Sequence, residues 1–134
     1  MSLRDTRPFE HEFFVQIQKS FPVMQHLSVI NCKPQIEKSS NTNANVSCIK
    51  YCSLNELHLY SSHDDYLEEF LLHTKTDLKN DIHLFVNYES LQRVTHNFTR
   101  DATRFNCNKI SQLHLGERNK PSGSYEEYFC HFVL

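Results

Sequence analysis

Four short segments of the chain repeat one apolar pattern at nearly constant spacing, and this repetition restricts the fold more than any other feature. They are Met24…Leu27-x-Val29, Leu54…Leu57-x-Leu59, Leu84-x-Val86 and Ile110…Leu113-x-Leu115. The matching positions 27, 57, 84 and 113 lie 30, 27 and 29 residues apart. Asp81 stands where the third copy should carry its leading apolar residue, and Ile82 takes that role by a shift in register. A weaker fifth copy, Met1-Ser2-Leu3, lies 24 residues before the first full one. Apolar residues at every second position are the period of a strand with one buried face.

The segments between these strands read as helices. Phe9, Phe13, Phe14, Ile17 and Phe21 keep one face apolar, with Pro8 near the helix start and Pro22 just past its end. Ser62-His63-Asp64-Asp65 offers N-cap candidates before the stripe Tyr66, Leu67, Phe70 and Leu71. Tyr88, Leu91, Val94 and Phe98 form a third stripe. One strand-plus-helix unit cannot bury its own apolar face, so neighbours must stack to make a core. The expected fold is α/β: a short, irregular leucine-rich-repeat-like β–α solenoid with a parallel sheet on the concave face, one domain over residues 1–134. Residues 33–46 and 117–127 are too polar for the pattern and read as loops, the first replacing a helix. The run Tyr128-Phe129-Cys130-His131-Phe132-Val133-Leu134 reads as a last strand.

In such a solenoid the outward residues of each strand line the concave side, where partners bind. They are His26, Ser28 and Ile30; Glu56, His58 and Tyr60; His83, Phe85 and Asn87; and Gln112, His114 and Gly116. These twelve positions carry no Lys or Arg, and their aromatics are of the kind that protein interfaces favour. The expected partner-binding residues are Glu56, His58, Tyr60, His83, Phe85 and His114. Matched registers also place His26, Glu56 and His83 in one lateral row, with strands about 4.8 Å apart. Two imidazoles and a carboxylate are legitimate zinc or iron ligands, but no HxH, HExxH or HxxE pair supports the row.

Composition excludes several classes of function. A formal charge of −2 leaves no basic excess for a phosphate backbone, so no nucleic-acid partner is expected. Gly116 and Gly123, the two glycines of the chain, cannot build a phosphate-cradling loop. Five cysteines at irregular spacing, Cys32, Cys48, Cys52, Cys107 and Cys130, do not make a disulfide framework. They read as ordinary buried thiols, with Cys48-x-x-x-Cys52 slightly wide of a redox pair. The first residues carry charges where a signal peptide is apolar, and no apolar stretch approaches the ~18 residues of a membrane span. The chain is expected to be soluble, intracellular and reduced, cytoplasmic or nuclear, with no membrane partner. The sequons at Asn45 and Asn97 then have no use. No nucleophile elbow and no Cys–His signature is present, so neither enzymatic activity nor a cofactor is expected. Asp64-Asp65 at a helix start is explained by the helix dipole.

The segments Pro8-Phe9-Glu10-His11-Glu12-Phe13-Phe14, Asp64-Asp65-Tyr66-Leu67-Glu68-Glu69-Phe70-Leu71 and Val86-Asn87-Tyr88-Glu89-Ser90-Leu91, the last running on into residues 94–104, carry a resemblance. They resemble the repeat region of a large, expanded set of invertebrate proteins with an N-terminal F-box, over roughly residues 3–116. The resemblance implies a protein–protein interaction scaffold, the substrate-recruiting region of an F-box ubiquitin-ligase adaptor. An unidentified protein substrate is the implied partner. A Skp-type linker and a cullin join it if an F-box is encoded upstream. This chain departs from the family in lacking the F-box, with seven residues before Pro8. Its first repeat also lacks a polar cap, which points to a truncated array. A metal-binding or redox protein using the His and Cys clusters is the alternative, and a nonfunctional gene fragment a third reading.

Overall fold

The computed structural model describes residues 1–36 and 48–115. The fold is α/β, built on a parallel sheet with four helices. Seven strands and four helices follow in chain order: β1 (Ser2–Arg4), α1 (His11–Ser20), β2 (His26–Ile30), β3 (Ile49–Tyr51), β4 (Glu56–His58), α2 (Asp64–Leu71), β5 (Thr76–Leu78), β6 (Ile82–Val86), α3 (Tyr88–Val94), α4 (Asp101–Cys107) and β7 (Ile110–Leu115). Five strands form the main sheet in the order β1-β2-β4-β6-β7, every pair parallel. Each repeat of the sequence pattern supplies one strand, including the weak fifth copy, which is β1. The repeated apolar positions fall in register, with Leu27 opposite Leu57, Leu57 opposite Leu84 and Leu84 opposite Leu113. A register shift at Ile82/His83 absorbs the irregular third copy.

The helix-facing side of the sheet is the core. Leu27, Val29, Leu57, Leu59, Leu84, Val86 and Leu113 are buried, and Leu115 is partly buried against them. Beneath α1 and α2 the core turns aromatic, with Phe9 stacked on Phe13 at 4.4 Å and Phe14 edge-on to Phe70 at 5.3 Å. Such pairs add about 0.5–1.5 kcal/mol each beyond their buried area. The α2 start behaves as its sequence predicts: the His63 side chain accepts from the Asp65 N–H at 3.0 Å, and Asp64 and Asp65 occupy the first turn.

The structure departs from the sequence pattern in several places. A second, two-stranded parallel sheet of β3 and β5 stands where the sequence pattern marks no strand. Phe21 does not join the α1 stripe; it is the C-cap residue and is exposed. The third stripe is broken after Val94, where His96, Asn97 and Phe98 adopt positive φ of 52°, 58° and 63°. This left-handed turn carries Phe98 into the core by another route, and α4 follows it. Three cysteines, Cys32, Cys48 and Cys52, are exposed rather than buried, and only Cys107 among the described ones is enclosed. The described part of the first polar loop, 33–36, is tied down: the Gln35 side chain is buried, and its backbone N–H donates to the Asp65 carboxylate at 2.9 Å. The remainder of that loop, residues 117–127, the closing run 128–134, Gly116, Cys130 and the Asn45 sequon lie outside the described residues.

Two buried polar clusters join the elements. Glu69 on α2 is fully enclosed and is met by His11, by Lys75 Nζ at 3.9 Å and by Gln35 Nε2 at 3.3 Å. Asn106 on α4, also fully buried, donates to the carbonyls of Phe70, Leu71 and Thr76 and accepts from the Leu78 N–H at 3.2 Å.

Candidate binding face

The side of the main sheet that faces away from the helices displays every second residue of each strand. Parallel pairing places His26 opposite Glu56, Glu56 opposite His83 and His83 opposite Gln112. The next row runs Ser28, His58, Phe85, His114. All six residues expected to bind a partner therefore share one patch. The β1 register adds a member that the sequence reading missed: Ser2 and Arg4 pair with Ser28 and Ile30, so Arg4 brings a cation to this face.

The second row is a ring ladder. The His58 imidazole stacks on the Phe85 ring at 4.0 Å and 7°, and Phe85 stacks on His114 at 4.1 Å and 5°. The three rings thus stack face to face from β4 across β6 to β7. Tyr60 lies edge-on to Phe85 at 6.3 Å and is 39% exposed. Its hydroxyl donates to the His114 carbonyl at 3.0 Å, spanning β4 to β7. Asn87, in the position of an N-cap for α3, makes no side-chain cap; its Nδ2 donates instead to the Tyr60 carbonyl at 2.9 Å. The first bond holds the Tyr60 ring and the second its backbone.

The first row is ionic. Glu56 Oε1 meets His58 Nε2 at 3.0 Å, and Oε2 lies 3.6 Å from His26 Nε2. The hydrogen bond from His58, with the imidazoles of His26 and His83 nearby, holds the Glu56 carboxyl below its ordinary range. Burial, and then the neighbouring His83, push the His114 imidazole below its usual value, against the opposite pull of Glu56. Its Nε2 is buried without a hydrogen-bond partner. The row His26, Glu56 and His83 is thus real as a juxtaposition. Among the described residues, no group of three His, Cys, Asp or Glu side chains is placed to hold a metal ion.

Other features lie away from this patch. Met1, Phe21, Val23 and Met24 line a hollow beside the start of β2. Phe105, on α4 and 51% exposed, sits under Lys109 Nζ at 4.7 Å. No described helix is long and apolar enough to cross a membrane. No family model, curated protein or solved structure matches the chain.

Proposed function

We propose that the face of the main sheet turned away from the helices is a protein-docking surface, and that the chain is a leucine-rich-repeat-like β–α solenoid serving as an interaction scaffold. Five parallel strands in chain order, with one repeat per strand, support the solenoid reading. The observation that carries the docking role is the ladder His58–Phe85–His114 with Tyr60 pinned beside it. A ring-rich patch on a rigid sheet gives a partner contact area that costs little ordering on binding. Glu56, His58, Tyr60, His83, Phe85 and His114 make up the contact set.

The resemblance of the sequence to the repeat region of F-box proteins makes the substrate-recruiting arm of a ubiquitin-ligase adaptor the reading of choice. The captured protein is then the substrate, and a Skp-type linker and cullin associate only through an F-box in the same polypeptide. The test is capture of proteins by the native chain and by a Tyr60→Ala/Phe85→Ala variant, with identification by mass spectrometry. The variant is expected to keep a cooperative melt and to lose the specific partner. A partner retained by the folded variant refutes the docking face.

A further inference from the structure

We infer that the outer edge of β7 is a docking edge for the chain's own run Tyr128–Leu134, added in parallel as one more strand that sets Phe129 and His131 beside His114. The argument starts from the edge. β7 is six residues long, Ile110–Leu115, and carries no proline, lysine, arginine or carboxylate. Its register shift lies at the start, so Gln112–Leu115 pair regularly with β6. Among the described residues no strand pairs with its other side, which turns a row of backbone donors and acceptors outward. Such an edge is a template for a further strand.

Two side chains point to what belongs there. Phe85 of β6 covers one face of the His114 ring at 4.1 Å, and the opposite face lies on the side away from β6, over the outer edge of β7. The Nε2 of that ring is buried with no hydrogen-bond partner among the described residues. On the core side Leu115 is only partly buried. An added strand with a ring on one side and apolar groups on the other would cover both.

The sequence of the same chain supplies one. Past Leu115, the twelve residues 116–127 lead to Tyr128-Phe129-Cys130-His131-Phe132-Val133-Leu134. A hairpin closes with about two to five residues, whereas a parallel return takes roughly a dozen. Twelve residues reach up to about 40 Å, twice the roughly 20 Å length of β7. In extended form the run sorts into Tyr128, Cys130, Phe132 and Leu134 on one face, and Phe129, His131 and Val133 on the other. Apolar residues on both faces are the mark of a parallel strand covered on both sides. The first set suits the core side, beside Leu113 and Leu115. The second, with His131, suits the side that already carries His58, His83 and His114.

The experiment is nuclear Overhauser spectroscopy of the isotope-labelled whole chain, which reads the pairing without any substitution. Contacts between the backbones of 128–134 and 110–115 are expected within one molecule and unchanged on dilution. Their absence overturns the inference. Contacts seen only between labelled and unlabelled chains in a mixed sample overturn it as well, because a second copy then supplies the strand. In hydrogen exchange, Phe129→Asp/Phe132→Asp should speed the outward amides of β7 at least about tenfold and leave those of β2 and β4 unchanged. Ser122→Asp, in the connecting stretch, should change neither. Protection of β7 that survives Phe129→Asp/Phe132→Asp also overturns the pairing. The pairing does not depend on what the sheet face binds, so the docking reading is judged separately by the Tyr60/Phe85 variant.

Discussion

Asn106 gives the most quantitative test of how the fold is held. Its side chain is fully buried and answers four backbone groups: the carbonyls of Thr76 at 2.8 Å, Leu71 at 3.1 Å and Phe70 at 3.3 Å, and the Leu78 N–H at 3.2 Å. Asn106→Ala strips them at once. The orphaned Leu78 N–H and the two better-placed carbonyls cost about 1 kcal/mol each, near the low end for buried polar groups losing a partner, so the loss should be about 3 kcal/mol. In a domain of this size that lowers Tm by roughly 10 °C. Asn106→Asp is a sharper probe because it keeps the shape. It retains the acceptor for Leu78 but turns an oxygen toward three carbonyls, so it should cost at least as much at neutral pH. Burial among carbonyls raises the new carboxyl's pKa in the folded state. That variant should therefore be relatively more stable in acid and lose ground as pH rises through the folded value. Urea and thermal unfolding between about pH 4 and 7 measure both effects. A loss below about 1 kcal/mol for Asn106→Ala would refute the bonding scheme.

Three other outcomes are expected. Glu69→Leu should destabilise by about 3 kcal/mol, because Lys75, 7% exposed, is left as an uncompensated buried charge, and adding Lys75→Met should recover most of the loss in a double-mutant cycle. Asp81, exposed at φ 66°, should gain about 0.5–1 kcal/mol as Asp81→Gly, read as a higher urea midpoint at unchanged slope. Burial works against the charged form of Asp64, yet hydrogen bonds from Arg93 and Ser90 hold its carboxyl below its ordinary value. The stability from this pair is present above the unfolded carboxylate value and is lost as pH falls through the lower folded one. Arg93→Ala should cost roughly 0.5 kcal/mol at neutral pH, little because Arg93 is 62% exposed, and should flatten the acid limb of the stability curve.

What the sequence disclosed, and what it hid, follows from how each element buries itself. Strands β2, β4, β6 and β7 were legible because each carries the apolar-x-apolar pair of the repeat, and because spacings of 30, 27 and 29 residues carry Leu27, Leu57, Leu84 and Leu113 into register. That register in turn made the His26–Glu56–His83 row and the ring ladder readable. Helix α4 was invisible to hydrophobic periodicity because the face it buries is Thr103, Asn106 and Cys107. Strands β3 and β5 have three residues each, too few to show a period. Glu69 sits in a helix among charged residues, and nothing local tells it from a solvated neighbour; its burial depends on Lys75, His11 and Gln35 arriving from distant segments. Arg4 was missed because a three-residue edge strand was too weak a copy to extend the face.

The most direct test of the docking face is site-specific photo-crosslinking in the cell, with the photoreactive residue placed at Tyr60 in one protein and at Phe105 in another. Both positions are exposed, but Tyr60 lies on the ring-rich side of the sheet and Phe105 on a helix of the other side. The account predicts a specific partner adduct from position 60 and none from position 105. An adduct from position 105 with none from position 60 would contradict it.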